Sequence, residues 1–193
     1  KRPKHHKIMP DTPDTPIHLE GQLLLADPSL RDGDFCKSVI FLAEHSPEKG
    51  AYGLIINRPT GKTVGDLIPK PEFKPLKDIP VYIGGPIGQE HLTFAAFAPQ
   101  KKHSIQLFTR ISAEEAIQRT QQPGTLVRAF AGYSGWTAGQ LEDELQRDSW
   151  ITIPPNQTLL THEHEKKLWA NILRDLSPYH QILAEAPDDI FVN

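Results

Sequence analysis

The stretch from residue 39 to residue 56 constrains this chain more than any other. Residues 39–43 and 54–56 are apolar at successive positions, and Ser46, Pro47, Glu48, Lys49 and Gly50 supply a turn-rich connection between them. The pattern predicts a β-hairpin. Apolar side chains at successive positions need cover on both faces of the sheet, so the hairpin belongs between layers and not on a surface with one wet side. With 193 residues, 38% of them hydrophobic, the chain can build such layers once, in one compact domain.

The rest of the chain supplies the partners. Residues 22–26 read as a short buried strand closed by Asp27 and Pro28, and residues 81–83, 92–97, 105–108, 125–131 and 150–153 read as further strands. At least six strands therefore share the sheet. Residues 63–68 predict one or two helical turns, and the proline-rich run 69–80 an irregular surface segment. Ser112 with Glu115, and Thr137 with Gln140, have the spacing of capping boxes and predict two helices, ending near Thr120 and Arg147. Thr161 is placed to cap a last helix in which Leu168, Trp169, Ile172, Leu173 and Leu176 fall on one face. Strands and helices thus alternate along one compact domain.

Lys and Arg number 21 and Asp and Glu 24, so the net charge of −3 gives no overall attraction to nucleic acid or anionic membrane. One cysteine, Cys36, forbids an internal disulfide and fits a reducing, cytoplasmic setting. No apolar run approaches the roughly 20 residues of a membrane helix. Residues 1–18 combine lysines, histidines and prolines, a composition that predicts a flexible basic leader, with a single domain over residues 19–193.

Read together, GAYGLIINRP (residues 50–59), VYIGGP (residues 81–86) and GYSGWTAGQLEDEL (residues 132–145) resemble the YqgE/AlgH family, in an order and spacing that reach across most of residues 21–153. The resemblance implies a compact, single-domain α+β fold, a bifurcated, mostly antiparallel sheet curled into a pseudo-barrel with flanking helices. It also implies a bacterial cytosolic protein without an established activity, to which a label of transcriptional regulation is attached. Similar proteins often carry a histidine at the end of the strand after the Gly-Gly-Pro triplet, where this chain has Phe94, Ala95, Ala96 and Phe97.

Several residues invite a chemical reading. Ser134 lies in Gly132, Tyr133, Ser134, Gly135, Trp136, but a nucleophile elbow needs Gly-x-Ser-x-Gly, and bulky Trp136 stands where the second glycine belongs. The glycines there predict a tight turn, with Tyr133 and Trp136 filling core. His45 is a candidate base at the turn end of the hairpin, about 20 Å from Asn57 at ~3.3 Å per residue. His162 and His164 sit two apart, on opposite sides of a helix, and predict no metal site. Gly61, Lys62 and Thr63 lack the upstream glycine of a phosphate loop, Asp32 and Asp34 lack an acid–base partner, and Cys36 beside Lys37 predicts an inert, packed thiol.

Asn57 and Arg58 end one apolar strand and Gly84 and Gly85 another, so polar groups at strand ends, together with Tyr133 and Trp136, form the candidate ligand-binding set. The alternative is that Asn57 and Arg58 cap their strand and tie the following loop. The expected function is a non-catalytic regulatory or interaction protein with an unknown protein partner or small ligand, no cofactor and no metal. A hydrolase using Ser134 or His45 and a nucleic-acid-binding regulator are the alternatives, the latter without a helix-turn-helix to carry it.

Overall fold

The computed structural model describes residues 18–30, 33–157 and 167–186. Nearly all of the basic leader, Asp32, the Thr161 cap, His162 and His164 lie outside the described residues. The strands are β1 (Leu23–Ala26), β2 (Val39–Ser46), β3 (Gly50–Ile55), β4 (Pro59–Thr63), β5 (Pro80–Ile83), β6 (Ile87–Pro99), β7 (Ile105–Ile111), β8 (Leu126–Trp136) and β9 (Trp150–Ile153). The helices are α1 (Val64–Leu67), α2 (Ala113–Thr120), α3 (Gln140–Gln146), α4 (Leu168–Leu176) and α5 (Pro178–Glu185).

The predicted hairpin is β2–β3, with Ser46 opposite Gly50 at the turn and Ile40 opposite Ile55 at the far end. Residues 39–42 and 52–56 are buried without interruption, as their unbroken apolar runs require. β1 adds to β2, and β9 adds to β1. The other end of the sheet is organised by β8. Its first half runs parallel to β5 through Ala129, Phe130 and Ala131, and antiparallel to β6 over the same residues. Its second half leaves β5 and pairs with β3, Ser134 opposite Gly53 and Trp136 opposite Ala51. One strand thus serves two arms: β4, β5, β6 and β7 around its first half, and β3, β2, β1 and β9 beyond its second.

The change of partner happens at Gly132. Its φ of +72° bends the strand, and a Cβ there would lie 2.6 Å from the Gly85 carbonyl oxygen, so only glycine lets the arms meet this closely. This corrects the turn expected over residues 132–136: the strand continues to Trp136. Residues 131–136 alternate half-buried and buried, the period of a strand, and the glycines serve a bend inside it.

The curled sheet produces three cores. Between the arms, Leu23, Phe41 and Leu54 face Phe97 and Phe130, with Phe41 and Phe97 ring centroids 5.9 Å apart. Leu168, Trp169, Ile172 and Leu173 of α4 join this inner core, and the Trp169 indole donates to the Ala26 carbonyl at 2.8 Å. Outside the first arm, α3 covers Leu24, Ile40, Leu42 and Ile55 with Leu141. Outside the second, α1, α2 and a 3-10 helix over Pro71–Leu76 cover Val81, Ala96 and Ala129. The architecture is α+β, a bifurcated, mostly antiparallel sheet curled into a half-barrel with α1, α2 and α3 on its outer faces and α4 against the inner core.

Local expectations meet the structure unevenly. Thr63 and Asp66 form a full capping box on α1, and the hydrogen bonds from Thr63 hold the Asp66 carboxyl below its usual range. Ser112 accepts from the Glu115 amide at 3.1 Å and caps α2. α3 starts only at Gln140, after Gly139 with φ +76°, and Thr137 instead donates its amide to the Gln140 side chain at 3.0 Å. The run 69–80 is not wholly irregular, because fully buried Leu76 anchors its 3-10 helix beneath the prolines. Leu176 is 38% exposed and not on the buried face, because the chain breaks at Ser177 and turns into α5, a helix the sequence reading did not separate.

Candidate functional site

The hairpin separates the polar candidates as its length dictates. Asn57 follows the end of β3, where its amide oxygen accepts from the Val39 backbone at 2.9 Å and its amide nitrogen donates to the Lys37 carbonyl at 2.9 Å. Arg58 donates to the carbonyl of Asp34 and, at 3.1 Å, to that of Cys36. Two side chains therefore pin the loop that precedes β2 through four hydrogen bonds, each worth about 1 kcal/mol net. The loop itself is outward: Gly33, Asp34, Cys36 and Lys37 are exposed, and Lys37 adopts a φ of +56° with its ammonium 5.8 Å from the Trp169 ring centre.

This geometry corrects the reading of Cys36. Its thiol is exposed on a turn and not packed, since residues 34–37 are not a strand and the apolar run that enters the core begins only at Val39.

Gly84 and Gly85 sit where the arms meet. The Gly84 amide donates to the Ala131 carbonyl at 2.9 Å, and its own carbonyl accepts from the Ile55 amide at 2.9 Å and the Ser134 hydroxyl at 3.1 Å. A Cβ on Gly85 would fall 2.1 Å from the Tyr133 carbonyl carbon. Both glycines are thus occupied by close approach to β8. Ser134 is fully buried with its hydroxyl committed to that carbonyl, in the interior of a strand, which is not the exposed, strained turn a serine nucleophile requires.

His45 lies at the opposite end of the hairpin, its side chain 1% exposed. Nδ1 accepts from the Leu19 amide at 3.4 Å, and Nε2 is 2.5 Å from a Glu142 carboxylate oxygen. An amide can only donate, so the ring proton sits on Nε2 and points at Glu142. The imidazole joins α3 to β2. Gly61 lies in β4 and Thr63 caps α1, so the phosphate-loop likeness dissolves into a strand end and a helix start. Among the described residues, no three His, Cys, Asp or Glu side chains converge as a metal ion would need, and no helix is long and apolar enough to cross a membrane.

The structure separates Tyr133 from Trp136. Trp136 enters the core beneath α3, its indole donating to Glu144 at 2.9 Å beside Trp150, which donates to the same oxygen at 2.7 Å. Tyr133 faces the inner side, its ring centre 5.1 Å from that of Tyr52. Over Tyr52 lies the Arg110 guanidinium, 4.0 Å from the ring centre, and Glu44 approaches Arg110 at 3.7 Å. Burial raises the Tyr52 phenol above its usual range, and Arg110 opposes part of that rise. The sequence reading did not single out Tyr52, Arg110 or Glu44. Nothing in the string IQLFTRI marks Arg110, because what brings it to Tyr52 is an irregularity in strand pairing.

With this geometry in view, the comparisons place the chain. The family model described as AlgH-like matches residues 23–180, which include, among the described residues, every strand and most of the helices. The chain belongs to the AlgH-like family. A UPF0301 protein of Ralstonia nicotianae is 33% identical over 174 residues, covering 84% of this chain and 90% of its own. One from Shewanella loihica is 35% identical over 171 residues, covering 82% and 91%. The solution structure of the AlgH protein from Pseudomonas aeruginosa is similar with a TM-score of 0.60 at 29% identity, over 91% of this chain and 98% of that one. A crystal structure of a Corynebacterium diphtheriae protein has a TM-score of 0.69 at 23% identity, over 90% and 95%, and speaks for the fold alone. The two solved structures share the curled fold.

Proposed function

We propose that this AlgH-like protein is a cytoplasmic, non-catalytic interaction protein, and that the loop over residues 33–37 is the surface its partner reads. The observation that carries this reading is the four-bond anchorage of an exposed loop by Asn57 and Arg58. A loop held in one conformation before binding spares the partner the ordering cost, and rigid scaffolds commonly present their recognition residues this way. On this reading Asn57 and Arg58 are positioning residues, and Asp34, Cys36 and Lys37 make the contact. Ser134 and His45, the groups on which a hydrolase would rest, are spent on joining β8 to the Gly84 carbonyl and β2 to α3.

Cys36 makes the test direct, because it is the chain's one cysteine and is exposed. A photo-crosslinker on Cys36 should capture a defined partner from native lysate. Asn57→Ala and Lys37→Glu should each reduce that capture at least about fivefold if pre-ordering and charge contribute about 1 kcal/mol each. Equal capture by all three proteins would refute the proposal.

A further inference from the structure

Two irregularities in the sheet aim at one ring. In β2, Leu42 pairs with Gly53 and Glu44 with Tyr52, so Ala43 is an extra residue that turns Glu44 toward Tyr52. In β7, Ile111 pairs with Phe94 and Phe108 with Ala96, so β7 also carries one residue too many, and Arg110 takes it up with a φ of +53°. A bulky L-residue seldom adopts that conformation, and bulges that re-aim a side chain are enriched beside binding sites. Here the two bulges deliver an arginine and a glutamate from different arms to the ring of Tyr52.

We infer that Arg110, Tyr52 and Tyr133 form a binding site for an oxyanion, a carboxylate or phosphate group, carried on an apolar or aromatic body. The Arg110 guanidinium lies over the Tyr52 ring, 4.0 Å from its centre, and an arginine held by such a contact keeps N–H donors to offer an oxyanion. Its side chain is 54% exposed, so these donors are within reach of solvent. Glu44, at 3.7 Å and 61% exposed, is a loose counter-ion that a ligand oxyanion replaces. Tyr52 keeps its proton under the burial that raises its pKa and remains a potential donor. The apolar part of the ligand meets half-buried Tyr133, whose ring edge is 3.7 Å from where a side chain on Gly88 would begin, and Ile87, which is 42% exposed opposite Tyr133 in the β6–β8 pairing.

The site is independent of the loop over residues 33–37, and its test separates the two. Phenyl phosphate and benzoate, titrated against the full-length protein by NMR, should give saturable shifts at Tyr52, Arg110 and Tyr133, whereas inorganic phosphate and benzyl alcohol should bind more weakly. The stronger of phenyl phosphate and benzoate identifies the oxyanion. Arg110→Gly suits the positive φ and keeps the fold, so it should lose at least about tenfold in affinity with the thermal transition retained. Glu44→Gln removes the competing charge and should gain about two- to fivefold. Asn57→Ala should bind the probes as the parent does. Shifts confined to surface lysines, affinity unchanged in Arg110→Gly, or no gain from Glu44→Gln would overturn the assignment.

Discussion

Removing the Glu144 carboxylate tests whether the outer core beneath α3 is held by polar contacts as well as by packing. One oxygen of Glu144 accepts from both Trp136 and Trp150, at 2.9 and 2.7 Å, and the other accepts from Gln140 at 3.1 Å. The indoles are 6% and 5% exposed, so Glu144→Ala leaves two largely buried N–H donors without a charged acceptor. A hydrogen bond to a charged group is worth about 1.5–3 kcal/mol, and water reaches half-buried Glu144, so the low end applies to each of the two indole bonds: a loss of about 3 kcal/mol in all. For a domain of this size each kcal/mol shifts Tm by about 2–4 °C, giving a fall of roughly 6–12 °C. Glu144→Gln keeps a neutral acceptor and should lose about half as much. Urea unfolding followed by tryptophan fluorescence gives the free energy, and NMR of the indole protons gives the site. Of three tryptophans, Trp136 and Trp150 should shift while Trp169, bonded to the Ala26 carbonyl, stays in place as an internal control. A loss below about 0.5 kcal/mol, the range of ordinary surface substitutions, would refute the reasoning.

Gly85→Ala should abolish or severely weaken folding, by more than about 3 kcal/mol, because its methyl group would sit 2.1 Å from backbone atoms of Tyr133; expression and circular dichroism check it. Asn57→Ala should cost about 1–2 kcal/mol and speed labelling of Cys36 at unchanged pH, since the loop loses its bonds to Val39 and Lys37; equal labelling rates would argue that Arg58 alone holds the loop. In alkaline titration monitored at 295 nm, Tyr52 should ionise above the usual tyrosine range, because burial raises its pKa. Because the Tyr52 pKa is raised above the unfolded value near 10, its contribution to stability is complete below that pH and is lost as pH rises through the folded value. Tyr52→Phe should flatten that alkaline loss.

The sequence disclosed what local pattern can disclose. The continuous apolar runs of β2 and β3 announced a doubly covered hairpin, and the Ser112 spacing announced α2, because burial and capping depend on residues near one another. β8 was misjudged halfway along. Gly132 and Gly135 look like a turn in a string of letters, and only the pairing of Ser134 with Gly53, some eighty residues earlier, turns them into a strand. The candidate set fared likewise. Asn57 and Arg58 stand out from their place at a strand end, but that they bond the Val39 amide and the carbonyls of Asp34, Cys36 and Lys37 follows from the loop's path. Arg110 could not be noticed at all, since an extra residue in β7 exists only relative to β6.

The passage of β8 from one arm to the other at Gly132 has a mechanical corollary. Two arms that share a strand have no seam along which they can part, so rotating either one must twist the backbone between Ala131 and Tyr133. That segment runs beside Gly85 and carries the ring that faces Tyr52. Anything that seizes Arg110 from outside pulls on β7, whereas Tyr52 and Tyr133 answer to the opposite arm. Occupancy at that spot would therefore stiffen the angle between the arms, and a partner resting on both could sense it without touching the ligand.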